Sequence, residues 1–101
     1  MPAVFPVVWT QTALAHLAAI RDYIAQTSEL YAERMVQRVL ARGPQLAQFP
    51  ESGRMVPEVG RPEIREVLEG PYRVIYRRTE ERVEVVAVVH ARQAGPGTLN
   101  A

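Results

Sequence analysis

His90 and a set of arginines are the residues of this chain best suited to chemistry. His90 closes the hydrophobic run that begins at Arg82, and Ala91 and Arg92 follow it. An imidazole can take or give a proton near neutral pH, which makes His90 the best single acid–base candidate. Arg54, Arg65, Arg73 and Arg92 are the candidate contact residues. Their planar guanidinium forks suit a phosphate or a carboxylate. All 12 basic residues are Arg and none is Lys, so no lysine can act as a base.

Net charge is only +1, and residues 51–101 hold eight Arg and eight Glu. There is thus no basic tail of the nucleic-acid-binding kind, and any phosphate site must come from folding several Arg side chains together. Arg65 and Arg73 fall in adjacent predicted strands and could form an anion site with Arg92. Pairing with Glu63, Glu66, Glu69 or Glu84 is the structural alternative, since cross-strand charge pairs are common. His90 has a similar alternative, closing a strand end by hydrogen bonding. Arg77 and Arg78 point to opposite faces of their strand and, with Arg82, can simply solvate a hairpin tip. His16 falls off the main stripe of its helix and is expected to be exposed. Neither His belongs to a metal-ligand spacing, and no Walker, dinucleotide-binding or zinc-finger motif is present. No metal and no cofactor is expected.

The elements that must position these residues are legible. A chain of 101 residues suffices for one domain with a modest core. Its hydrophobic fraction of 48% and charged fraction of 23% are those of a globular protein. There is no Cys, which excludes a disulfide scaffold and Cys-ligated metal. The N-terminal stretch does not read as a signal peptide, and no apolar run approaches the roughly 18 residues needed to cross a bilayer. A cytoplasmic protein with no membrane partner is expected.

Residues 4–9 suit a short strand that lies at an edge or begins after Pro6. Thr10 or Thr12 can cap a helix over Thr12–Gln26, with Leu14, Leu17, Ile20 and Ile24 as its apolar stripe. Ser28 can cap a second helix whose stripe is Ala32, Met35, Val36, Val39 and Leu40. Gly43-Pro44 should kink it, with a continuation to about Gln48. Residues 50–57 read as turn and loop. Three strands follow, at Glu63–Leu68, Tyr72–Arg78 and Arg82–Val89, the last two joined by a tight turn at Thr79–Glu81. Arg82–Val89 is apolar almost throughout, as in a central strand covered on much of both faces. Tyr72 and Tyr76 share one face of their strand, with Tyr76 expected to pack against the helices. Trp9 reads as a core or helix-junction anchor. Residues 93–101 should be a flexible tail, leaving an ordered core of about 4–92. The expected fold is α+β, in the order β-α-α-β-β-β: a helical hairpin against one curved sheet.

This order, and the residues in it, resemble the ParE/RelE superfamily of toxins from bacterial toxin–antitoxin modules, and its ParE-like branch in particular. The resemblance is carried by Trp9-Thr10 with Ala13 and Leu17, Tyr23-Ile24-Ala25, and Ala32 with the spaced apolar positions of the second helix. It continues with Phe49-Pro50, Gly53-Arg54, Ile64-Arg65-Glu66, Tyr72-Arg73-Val74-Ile75-Tyr76 and Val88-Val89-His90-Ala91-Arg92, covering about residues 5–92. It implies a plasmid-stabilisation type of toxin that arrests growth and is silenced by a cognate antitoxin. Operator DNA would be reached only through that antitoxin. The ParE-like branch implies DNA gyrase as the target. The RelE-like branch implies the ribosome and mRNA, cut by an endonuclease.

Such a ribonuclease must activate a 2′-hydroxyl, stabilise a crowded phosphate and protonate a leaving oxygen. RelE-like sites often use lysines and arginines with a late tyrosine. This chain has no Lys and no Tyr after Tyr76. Inhibition of gyrase by binding is therefore the leading expectation. A ribonuclease using His90 with Arg65, Arg73 or Arg92 is the alternative.

Overall fold

The computed structural model describes residues 4–92. The expected tail at 93–101 lies outside the described residues. The chain runs β1 (Val7–Trp9), α1 (Gln11–Ala25), α2 (Glu29–Leu40), α3 (Arg42–Gln48), β2 (Arg54–Met55), β3 (Ile64–Glu69), β4 (Tyr72–Arg78) and β5 (Val83–His90). The strands form one sheet in the order β1-β5-β4-β3-β2. β1 pairs parallel with β5, and the other neighbours are antiparallel. Among the described residues no helix is long and apolar enough to cross a membrane.

Local chemistry sets the element ends. β1 starts directly after Pro6 and lies at an edge, so the proline removes no ladder donor. Thr10 caps α1 by accepting from Ala13 N–H at 3.1 Å, and Ser28 caps α2 through Tyr31 N–H at 3.1 Å. The second helix breaks at Ala41. Pro44 then falls in the first turn of α3, where a missing N–H leaves no intrahelical bond unmade.

The helices cover one face of the sheet. Leu17, Ile24, Met35, Val39 and Leu46 pack there against Val67, Tyr72, Val74, Tyr76, Val83, Val85 and Val88, with Trp9 at the margin. The inward stripe of α1 is Ala13, Leu17, Ile20 and Ile24, whereas Leu14 is 47% exposed. A single small residue, Ala13, took the inward position that the apolar count gave to Leu14. Leu40 likewise sits at the edge of its stripe and is 37% exposed.

The opposite face carries a second, smaller core. Val56, Ile75, Ala87 and Val89 cluster there, with Val59, Ile64 and Val86 against them. Val56 and Val59 come from the loop between β2 and β3, which folds over the back of the sheet. The β4–β5 register shifts between Ile75, opposite Ala87, and Tyr76, opposite Val85. Val86 is the extra residue of this bulge. It lets Val86 and Ala87 both serve the back core, while Val85 and Val88 serve the front. β2 is the one strand the hydrophobic pattern does not announce; it is two residues long, paired to β3 through Arg54 opposite Glu66.

Candidate functional site

The alternation of β3 and β4 separates the candidate arginines. Arg65 lies opposite Tyr76, on the helix-covered face, while Arg73 points to the back. The two therefore cannot share one anion.

On the back face a chain of charges runs Arg54–Glu66–Arg73–Glu58. Arg54 stands opposite Glu66 across β2–β3, and its Nε donates to Glu66 Oε2 at 2.6 Å. Arg73 lies diagonally across β3–β4, and its Nε donates to Glu66 Oε1. The outer edge of the Arg73 guanidinium then makes a two-point fork with Glu58, Nη1 to Oε2 at 2.7 Å and Nη2 to Oε1 at 2.8 Å. Glu66 is 1% exposed and Arg73 6%. Hydrogen bonds from Arg73, and then from its own backbone N–H, pull the Glu58 carboxyl down to about 2. The same fork, strengthened by Glu66, pushes the Arg73 guanidinium up against the effect of burial. Two carboxylates thus neutralise two guanidinium groups, and the loop that carries Glu58 is fastened to the sheet.

On the helix face, Arg65 Nη1 donates to Gly53 O at 2.9 Å. Its Nε is buried without an acceptor among the described residues. Tyr76 steadies the same turn: its hydroxyl donates to Pro50 O at 2.8 Å and accepts from Gly53 N–H at 2.9 Å. Burial raises the Tyr76 phenol above its ordinary value.

His90 and Arg92 lie elsewhere, at a cleft between α1 and the end of β5 with a volume of about 710 Å³. His16, Tyr23 and Tyr72 also line it. His90 stands opposite Tyr72 in the β4–β5 register, and the rings meet edge to face at 5.6 Å and 83°. His90 Nδ1 accepts from Arg92 N–H at 3.1 Å, so the imidazole closes the turn that ends the strand. Burial also raises the Tyr72 phenol.

His16 is the residue the sequence undervalued. It is half-buried, and its Nδ1 accepts from Val88 N–H at 3.3 Å, across 72 positions of sequence. Off the main stripe, His16 still shares a helix face with Ile20 and Tyr23, at spacings of four and seven. That second stripe was the available signal. Of the candidate residues, then, the fold brings together Arg54 with Arg73, and His90 with Arg92. It leaves Arg65 apart from both pairs.

Chemically, the back-face chain offers buried, compensated charge. The cleft offers two imidazoles, two phenols and one guanidinium. Among the described residues, no three His, Asp or Glu side chains converge as a metal ion would require.

Comparison with known proteins places these features. The family model described as "ParE toxin of type II toxin-antitoxin system, parDE" matches residues 7–95. Toxin RelE2 of Caulobacter vibrioides is 43% identical over 86 residues, covering 84% of this chain and 93% of that protein. A putative toxin of Sinorhizobium fredii, Y4kP, is 36% identical over 94 residues, covering 90% of this chain and 93% of that protein. Two solved structures share the fold. One, titled a chromosomal ParDE TA system from P. aeruginosa, superposes with a TM-score of 0.71 at 24% identity, over 86% of this chain and 96% of that chain. The other belongs to the RelBE2 toxin–antitoxin complex from Mycobacterium tuberculosis, with a TM-score of 0.67 at 21% identity, over 89% of this chain and 94% of that chain.

Proposed function

The chain belongs to the ParE/RelE-like toxin superfamily and is the toxin component of a type II toxin–antitoxin system; on that premise we propose that it inhibits DNA gyrase by binding and so blocks replication. The observation that carries this reading is the commitment of Arg73. A ribonuclease of this size would need uncompensated cations facing a scissile phosphate. Here the most central guanidinium is held by Glu66 and Glu58, and Arg54 is held by the same Glu66. Arg65 points to the other face. With no Lys in the chain, Arg92 is the one guanidinium that lines the cleft of His16 and His90. In this reading Arg54, Arg65, Arg73 and Arg92 contribute contact or support, not bond breaking, and the protein acts in the cytoplasm.

The test is a supercoiling and DNA-cleavage assay with purified gyrase and antitoxin-free protein. Lost supercoiling with accumulation of protein-linked, linear DNA is the expected result. Gyrase left unchanged by excess protein overturns the reading.

One observation favours a second reading, a ribosome-dependent mRNA endonuclease. His16 and His90 line one cleft with Arg92, and two imidazoles can serve as acid and base. That reading requires codon-phased cuts in translated messages, lost in His90→Ala. Intact messages during growth arrest exclude it.

A cognate antitoxin is the proposed partner in either case, with operator DNA reached only through it. Leu14, Leu30 and Tyr31 leave apolar surface uncovered on the helical hairpin, and among the described residues β1 is an edge strand of the sheet. Leu30→Asp should leave the toxin folded and reduce its co-purification with the antitoxin. Undiminished co-purification would move the docking surface off the hairpin.

A further inference from the structure

The cleft between α1 and the end of β5 has a chemical bias that inhibition of gyrase does not require. His16 and His90 both use Nδ1 to accept a backbone N–H. In a neutral imidazole the proton then sits on Nε2, so each ring presents a donor there. Among the described residues, neither Nε2 has a hydrogen-bond partner, and neither do the Tyr23 and Tyr72 hydroxyls or the Arg92 guanidinium. No carboxylate among the described residues lines the cleft, although the chain contains 11 acidic residues. The lining is thus rich in donors and poor in acceptors. Its remaining surface is ring faces and the short apolar side chains Ala19, Ile20 and Val88.

We propose that this cleft binds a nucleotide, the phosphate meeting Arg92 and the imidazole Nε2–H groups and the base lying against Tyr23 and Tyr72. A phosphate brings acceptors only, which matches the lining. A peptide would bring N–H donors of its own and find only the two phenol oxygens to accept them. The volume of about 710 Å³ lies within the range of small-molecule sites and has room for a nucleotide. Bases stack on aromatic side chains without regard to sequence, so the site should accept any base. The nucleotide could be free or the 5′-phosphorylated end of a strand, since both carry the same chemistry.

The experiment is calorimetric titration of purified, antitoxin-free protein with 5′-AMP, with inorganic phosphate and with a 5′-phosphorylated adenine hexadeoxynucleotide. AMP should saturate one site and bind at least about tenfold more tightly than phosphate, because only AMP carries the stacking ring. Arg92→Gln should weaken AMP binding by about tenfold or more through loss of a charge-assisted contact. Tyr23→Ala, at a position 73% exposed and harmless to the core, should weaken it by about fivefold or more. Arg77→Gln, an exposed change on the back face, should alter it by less than about twofold. An oligonucleotide that binds more tightly than AMP identifies a strand end as the source. Equal or weaker binding identifies the free nucleotide, and both outcomes support the site. Absent saturation, equal affinity for AMP and phosphate, or AMP binding unmoved by both Arg92→Gln and Tyr23→Ala overturns it. The titration contains neither gyrase nor ribosome, so its failure would leave the proposed target standing.

Discussion

Arg73 and Glu58 meet in a two-point fork on the back of the sheet, 15 positions apart in sequence. The fork joins the interior of β4 to a loop that Val56 and Val59 also hold against the back of the sheet. Arg73→Met should destabilise the protein by about 3–5 kcal/mol, because it leaves buried Glu66 with Arg54 alone. Arg73→Lys should recover little of this, since an ammonium cannot reproduce a planar fork. Urea denaturation checks both variants. A loss under about 1 kcal/mol for Arg73→Met would show that the ion network contributes no net stability.

The depressed carboxyl of Glu58 gives a pH dependence of definite sign. Its value falls from 4.5 in the unfolded chain to about 2 in the folded protein. The folded state binds fewer protons than the unfolded state between those values. The stabilisation is therefore fully present above pH 4.5 and is lost as pH falls towards about 2. Glu58→Gln should flatten the fall in urea midpoint over that interval. The slope surviving unchanged in Glu58→Gln would assign the acid sensitivity to other carboxylates.

Gly53 has no room for a side chain. A Cβ there would lie 2.5 Å from Glu66 O and 2.7 Å from Tyr76 Oη. The first is backbone of β3, and the second is held by its bond to Pro50 O. Gly53→Ala should cost about 1–3 kcal/mol through this overpacking. Tyr76→Phe, which removes the hydroxyl and its two hydrogen bonds, should cost about 1–3 kcal/mol. In the double variant the two losses should not add, because freeing the phenol position relieves part of the clash. Strict additivity in denaturation midpoints would reject that coupling.

His90 caps a turn in this structure, so its replacement should be felt in stability before activity. His90→Ala removes the acceptor for Arg92 N–H and should cost about 1 kcal/mol. Inhibition of gyrase should persist in this variant when compared at equal folded concentration. Abolished growth arrest with the fold intact would instead make the imidazole part of the chemistry.

Much of the fold was legible because its signals are local. Pro6 announced an edge, Thr10 and Ser28 announced caps, and the apolar run of β5 announced cover on both faces. The inward face of α1 was half legible. Leu17, Ile20 and Ile24 belong to it, but the close approach of α1 to the sheet selected Ala13 over Leu14. The site was less legible because strand parity decides which residues meet. Arg65 and Arg73 look like partners until the β3–β4 register sends them to opposite faces. Glu58 carries no sequence signal at all; a loop position gains its role only when the loop folds back. His16 had only its shared helix face with Ile20 and Tyr23 as a signal, because its contact with Val88 spans 72 positions of sequence.

The parallel pairing of β1 with β5 sets an order of events. Val7 lies beside Val83, so β1 can take its place in the sheet only after β5 has been made. Until then β1 lacks its one neighbour among the described strands, and Trp9 lacks Val85 opposite it. Contacts of such long sequence separation form late and slowly. A ribosome that stalls before β5 would release a chain with helices but an open sheet, lacking the wall that completes the cleft. Both the sheet and the cleft are therefore whole only once β5 is in place between β1 and β4.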